Sequence, residues 1–543
     1  VKRSHFFVLF LLFFTILNAT ASPAYYSQLE WDGAYRLRGL FVLPEEEALQ
    51  QEAYRVSFDD RGRPARVEFL RWGRLAPDRW MGAAQMVFLY GEDTEDRIYQ
   101  NSQGLAETGR RGYTRLRLKK NTEGMVINAF HYDSLGNLVA DHKGVTTYGY
   151  VSDSQGRFKR ILRFNQRGMR IADRWGVWEE TRDYNPQGFL ERITYLDEQG
   201  FTMLNNQGVA GFFFGYDDRG LRIQEAVFGL DGGPTDNIWG LHLIERSFDQ
   251  KGRVLKESFF DQQDNPVANP RGVTVVSYEY DDEANWRKQY HFDAKGDLIR
   301  DDQGVAIYKE IWHDQGNERE IQHYGTEINP FYLSAPEEKQ TGDERYLLDQ
   351  NIEGIAAIRF LYDSQGNVIE QRNFGPDLGL AFDENGVALY RWTYNMMGQK
   401  TEESTFGSYD QKISNEEGIA TVRWEYDSRG LLASQHHFDP EGSLAADEDG
   451  VSTYRYSYNQ KGQKIRQSHF GIFGQKIENS EGVASYRWSY DKYNRLVQQS
   501  HLGIDDEATE DIYGVYTYRW EYDSQGRRVL SQSFNRAGTL VVP

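Results

Sequence analysis

Gly418 to Asp449 reads GIATVRWEYDSRGLLASQHHFDPEGSLAADED, and the same 32-residue pattern recurs along nearly the whole chain. With its Gly as position zero, the pattern restarts at Gly112, Gly144, Gly176, Gly208, Gly240, Gly272 and Gly304, then at Gly354, Gly386, Gly418, Gly450, Gly482 and Gly514. Every step is 32 residues except the 50 between Gly304 and Gly354, and two degenerate copies, starting at Gln50 and Gly82, come first. About fifteen copies of one length imply a tandem array. A unit this small cannot offset the entropy of its own ordering and must bury its apolar face against its neighbours.

Within the Gly418 copy, Asp followed two variable residues later by Gly occurs at Asp427 to Gly430, Asp439 to Gly442 and Asp447 to Gly450. Asp opens a type I turn and Gly takes the left-handed position, so these are turns and the intervening segments are strands. Period-two alternation puts Val422, Trp424 and Tyr426 on one face and Arg423 and Glu425 on the other. A three-residue turn with a Gly bulge sets position eight opposite fourteen, position two opposite twenty and position five opposite seventeen. That register predicts that Leu432 and Phe438 share the face of Tyr426. Position eight is aromatic in thirteen of the fifteen copies, which makes it a core column. Three turns admit either three strands, reversing direction at each copy, or two strands and a connection, Ser443 to Asp447, that keeps the hairpins in one orientation.

The fold expected is all-β, with hairpins stacked as a solenoid or a spiralling sheet. Residues 1–21 carry Lys2, Arg3, the apolar run FFVLFLLFFTIL and Ala19-Thr20-Ala21, a secretory signal peptide with cleavage after Ala21. Residues 22–49 lie outside the repeat and are expected to cap its exposed edge. Residues 50–328 form the first part of the array, 329–346 an insertion loop and 347–543 the second part. With no Cys, disulfides and lipid-modified cysteine anchors are excluded. A formal charge of -20 disfavours nucleic acid and anionic membrane as partners, and no membrane span is expected after signal cleavage.

Catalytic motifs are absent: no thiol, no GxSxG, no HExxH and no phosphate-binding loop. No cofactor, catalytic residue or metal ligand is expected. Six of the eleven His fall at position nineteen, namely His131, His291, His323, His437, His469 and His501. By parity they are expected on the face opposite the aromatics, as a solvated column or a metal ladder. Arg359, Arg391, Arg423, Arg455, Arg487 and Arg519 form a column at position five, read as cross-strand pairing or a polyanion stripe. Asp447 and its equivalents suit Asx turns better than calcium loops. Tyr390, Trp392, Trp424, Tyr454, Tyr486, Trp488, Tyr518 and Trp520 make a ladder that is either core or a candidate ligand site on which sugar rings stack.

The recurring YDSxG and YDxxG segments, at Tyr132 to Gly136, Tyr362 to Gly366, Tyr426 to Gly430 and Tyr522 to Gly526, resemble the motif of bacterial RHS/YD-repeat proteins. The resemblance implies a long β-sheet of successive hairpins, often spiralling into a shell, with binding or enclosure as its task. It supplies no catalytic residue, and the chain lacks an RHS core motif and a C-terminal effector. The expected function is an exported, non-catalytic scaffold presenting an extended surface to a protein or polysaccharide at the cell envelope or outside the cell. The alternatives are a carbohydrate-binding array and a glycan-active enzyme with carboxylates on the insertion.

Overall fold

The structure, a computed structural model, describes residues 22–328, 346–523 and 528–541. The expected signal peptide and residues 329–345 of the expected insertion lie outside them. Nearly all of the regular structure is strand, and all 35 strands belong to one antiparallel sheet. The chain opens with strands β1 (Ala24–Trp31) and β2 (Leu37–Leu43), a single helical turn α1 (Glu45–Ala48), and then β3 (Glu52–Phe58) and β4 (Pro64–Arg71). β1 pairs with both β2 and β3, so the first hairpin is continuous with the array.

A regular copy contributes two strands. Thr421–Tyr426 pairs with Leu432–Phe438, which pairs in turn with Thr453–Tyr458 of the next copy. The segment after Phe438 makes only one bridge, Phe438 to Leu444, together with a bond from the Ala445 N–H to the His437 carbonyl. An even number of strands returns the chain to the same direction at each copy, and Ser443 to Asp447 is the connection. Such connections stack along one rim of the sheet. The Ile512 N–H donates to the Glu481 carbonyl of the preceding copy, as Ile352 does to Gln303 and Asn206 to Trp175.

The hairpin turn is the expected one, with Gly430 at φ 77° and Asp427 Oδ1 accepting the N–H groups of Arg429 and Leu431. Tyr426 accordingly lies opposite Leu432. One residue further on the register shifts, because Ala433 is an extra residue facing no partner. Arg423 then lies opposite His436 and Thr421 opposite Phe438, which corrects two expectations: position five pairs with eighteen, not seventeen, and position three with twenty. The second bulge exchanges the faces of everything beyond it. Phe438 joins Arg423, and His437 joins Val422 and Trp424. The copies at Gly272 and Gly304 reach the same pairing, Val275 to Phe292 and Ile307 to Tyr324, by a longer turn without the shift.

The face bearing positions four, six, eight, seventeen and nineteen is the inner one. Trp31, at the end of β1, packs on Phe88 and Trp80, and Tyr35 packs on Tyr150 and Phe158. A hairpin attached beside β3 reaches the copy at Gly144 only if the sheet curls toward that face. The same hairpin spans hairpin tips further along, with Gln28 Nε2 donating to the Gly252 carbonyl at 2.8 Å and Arg38 lying 5.2 Å from the Phe189 ring.

The curl continues until opposite rims meet. Trp72 packs on Trp312, Ser102 Oγ donates to the Gln365 carbonyl, Asn137 Nδ2 to the Lys461 carbonyl and Arg167 to the Asp523 carbonyl. One winding therefore takes roughly eight to eleven copies. At about 4.8 Å per strand its circumference is roughly 80–100 Å, or about 30 Å across.

Neighbouring copies are tied in two ways besides the ladder. The position-one column, Val387, Val451 and Val483 among others, is fully buried, at roughly 1.5–3 kcal/mol per side chain. The position-eight tyrosine donates its hydroxyl to the position-fourteen carbonyl of the preceding copy: Tyr216 to Leu190, Tyr394 to Val368, Tyr426 to Lys400, Tyr490 to Lys464 and Tyr522 to Leu496. Replacing Tyr490 with Phe removes one such bond and leaves the Lys464 carbonyl to water. The expected loss is about 1 kcal/mol in a urea melt with an unchanged m-value.

Candidate functional site

The inner face carries a network that repeats with the copies. His437 Nδ1 lies 3.3 Å from the Val451 carbonyl, His469 Nδ1 2.8 Å from that of Val483 and His501 Nδ1 2.9 Å from that of Val515. A carbonyl only accepts, so Nδ1 carries the proton and Nε2 is an acceptor. Nε2 receives the side-chain amide of position seventeen: Gln435 to His437 at 2.7 Å, Gln467 to His469 at 3.2 Å and Gln499 to His501 at 3.1 Å. The histidines are buried, on the same face as the Tyr/Trp ladder. This corrects the expectation of a solvated column on the opposite face. With both ring nitrogens bonded, His437, His469 and His501 present no free nitrogen to a metal.

The ladder tyrosines interleave with these imidazoles. Tyr454 lies edge-on between His437 and His469, and Tyr486 between His469 and His501, at centroid distances of 5.4–5.8 Å. Tyr454 donates to Asp447 Oδ2 at 2.6 Å and Tyr390 to Asp383 Oδ2 at 2.7 Å. Asp447 Oδ1 meanwhile accepts the N–H groups of Asp449 and Val451, the Asx turn expected at this position. Tyr518 reaches Asp511 at 3.3 Å.

The tryptophans lie one step inward along the strand. Trp392, Trp424 and Trp488 donate Nε1 to Glu403, Gln435 and Gln499 of position seventeen. Tyr390 stacks on Trp392 at 5.8 Å, and Tyr518 on Trp520 at 6.2 Å. All eight candidate residues thus share one face. Each is half-buried, with part of its ring surface facing the interior of the winding.

The outer face is organised by the arginines. Arg391, Arg423 and Arg455 lie 4.3–4.6 Å from the rings of Phe406, Phe438 and Phe470, and Arg359 and Arg519 repeat the arrangement with Phe374 and Phe534. Arg391 also pairs with Glu370 and Arg423 with Glu402, both on the preceding copy. The guanidinium groups stack on phenylalanine and neutralise neighbouring carboxylates. These contacts account for five of the six arginines of the column without a polyanion; the copy of Arg487 carries Leu502 in place of the phenylalanine.

Among the described residues one group has metal-ligand composition: His313, Glu318 and Glu320, whose ligand atoms lie within 4.8 Å of one another. Arg359 binds Glu318 at 3.1 Å and Glu320 at 2.7 Å, so a cation already occupies the cluster. A separate buried charge network, Arg163 with Asp173 and Glu180, replaces His at position nineteen of the Gly144 copy. It was not legible in the sequence, because it depends on the register in which Phe158–Phe164 pairs with Glu179–Tyr184 of the next copy.

No protein-family model matches the chain, and no curated protein matches it. Solved structures similar to it include the crystal structure of TcdB2-TccC3-Cdc42, at 12% identity, with a TM-score of 0.38 over 95% of this chain and 26% of that one. Another is the Photorhabdus luminescens Tc holotoxin pore carrying the mutation TccC3-D651A, at 12% identity, TM-score 0.32, over 95% of this chain and 23% of that one. This chain spans about a quarter of the length of each.

Burial lowers the pKa of each of the six position-nineteen histidines, partly opposed by the carbonyl bond. The unfolded chain titrates near pH 6.5. Below that pH it takes up protons that the folded histidines refuse, so stability is flat above about pH 6.5 and falls as the pH drops toward the depressed folded values. Asn373 holds the same position and donates Nδ2 to the Val387 carbonyl at 3.2 Å, which makes Asn the conservative replacement. Melting temperature against pH should therefore slope less in the acid limb for H437N/H469N/H501N than for the native chain, with similar values at pH 8.

Proposed function

We propose that this chain is an exported, non-catalytic β-repeat scaffold whose wound sheet presents an extended inner surface to a partner at the cell envelope or outside the cell. The observation that carries the reading is how the recurring polar side chains of the inner face are used. His437, Gln435, Asp447 and Tyr454 and their equivalents bond to one another and to the backbone of the next copy. They build the wall. In His291, His437, His469 and His501 both ring nitrogens are engaged in this way, which leaves those imidazoles no free nitrogen to act as base or ligand.

A second reading, a carbohydrate-binding array, draws on the half-exposed rings of Trp392, Trp424, Trp488 and Trp520, the first three of which are held at one spacing by Nε1 bonds. The glycan-active alternative depends on the insertion, of which residues 329–345 lie outside the described residues.

Tryptophan fluorescence of the chain from Ser22 onward, with acrylamide quenching and titration by cell-envelope polysaccharides, separates the first two readings. The scaffold reading expects emission and quenching indifferent to every glycan. Protection by one glycan, lost in W424A and W488A while the fold is retained, would replace it with the carbohydrate reading.

A further inference from the structure

The inner surface differs in charge between its stretches. From Glu417, at the end of the copy at Gly386, through the copies at Gly418 and Gly450 to Tyr486 of the next, a groove of about 490 Å³ runs along the ladder, with the rings of Trp424, Tyr454, Tyr456 and Tyr486 along it. Its rim carries Glu417, Asp447, Asp449 and Glu481, and no lysine or arginine lines it. Elsewhere carboxylates of the sheet pair with arginine, as Glu370 does with Arg391 and Glu310 with Arg319. Here, among the described residues, the partners are neutral: Tyr454 and buried His437 on Asp447, Ser480 on Asp449 and Tyr486 on Glu481. Four negative charges in one concavity are left without a basic counter-ion. Concave walls concentrate their field, and the adjacent aromatic faces add to the attraction for a cation.

The ladder already takes ammonium groups at its edges. Lys400 Nζ lies 4.9 Å from the Trp392 ring, and Lys464 Nζ 4.5 Å from Trp488 and 5.5 Å from Tyr456. The carboxylates also have a spacing. Glu417, Asp449 and Glu481 occupy the same position in successive copies, 32 residues apart, while the neighbouring copies carry Asn385 and Tyr513 there. One hairpin is two strands wide, about 9.6 Å, and a polyproline II segment rises about 3.1 Å per residue with three residues per turn, so every third residue returns to the same face about 9.3 Å further on and meets the next carboxylate.

We propose that this groove holds a basic polypeptide segment in the polyproline II conformation, with a lysine or arginine at about every third residue set against Glu417, Asp449 and Glu481 and its stem lying along Trp424 and Tyr456. The inference rests on the scaffold reading and names the chemistry of its partner. The cation sits on the carboxylate side of the ring, and the intervening residues cross the position-seventeen glutamines.

The test uses the chain from Ser22 onward and two Gly/Ser peptides of identical composition, one with lysine at every third position and one with its lysines in a single block, titrated by calorimetry at physiological salt. The spaced peptide is expected to bind about tenfold more tightly, because only it places cations at the carboxylate interval. The triple variant E417Q/D449N/E481Q should lose about tenfold in affinity. E416Q/E448Q/E478Q, which removes the same charge from exposed residues outside the groove, should stay within about twofold. All three carboxylates of the groove variant are exposed, and melting curves confirm that both variants fold. Equal affinity for the two peptides, or equal weakening by the two variants, would reduce the attraction to diffuse surface charge and overturn the proposal. Absence of peptide binding would also overturn it while leaving the scaffold reading to the glycan titration.

Discussion

One extra residue in most of the hairpins decides which side chains face the interior. The Gly turn leaves Tyr426 opposite Leu432, and the unpaired Ala433 then moves the remainder of the strand by one place. Because strand side chains alternate with period two, that single residue carries His437 and Gln435 to the ladder side and sends Phe438 to the arginine side. The histidine-to-carbonyl bonds, the interleaved tyrosines and the stacked guanidinium groups all depend on it. Bulges also increase local twist and curvature, so the feature that sorts the faces also bends the sheet toward the inner one.

The curl in turn removes most of the liability of a very long sheet. An open ribbon of this length would leave two exposed rims of turns and two edge strands. In this chain the rims meet one another, through Trp72 and Trp312, Asn137 and Lys461, and Arg167 and Asp523. The first hairpin turns back across the tips of later copies, at Phe189 and Gly252. The interior so formed is densely filled near the first copies, where Trp31, Tyr35, Phe88 and Tyr150 pack together. It is more open beside the later ones, where the ladder rings are half-buried.

A repeat wall built this way has two predominant chemistries, to which the inner charges of Arg163, Asp173 and Glu180 and of the groove carboxylates are exceptions. Outside, arginine, glutamate and phenylalanine pair across copies. Inside, neutral imidazole, amide and phenol groups satisfy one another in a layer too dry for a charged histidine. Burial of His437, His469 and His501 with their glutamine partners is tolerable because they bond to one another and to the carbonyls of the adjacent copy. Copies consequently stabilise one another through side chains as well as through the backbone ladder.

The sequence by itself determined the repeat, its length, the turns at Asp427 and Gly430, the strand boundaries and the all-β class, since these follow from local rules for Gly, Asp and alternation. It also marked the ladder residues and the histidine column as periodic features. Their sides were beyond it, because Ala433 has nothing in its type that announces a bulge, and one unseen residue inverts every later parity. The number of strands per copy, the direction of the curl, the meeting of distant rims and the burial of Arg163 with Glu180 belong to tertiary structure alone. The curl and the meeting of rims arise from contacts between residues hundreds of positions apart, and the strand count and the Arg163–Glu180 pair from pairing between adjacent strands, none of which a pattern of turns and alternation specifies.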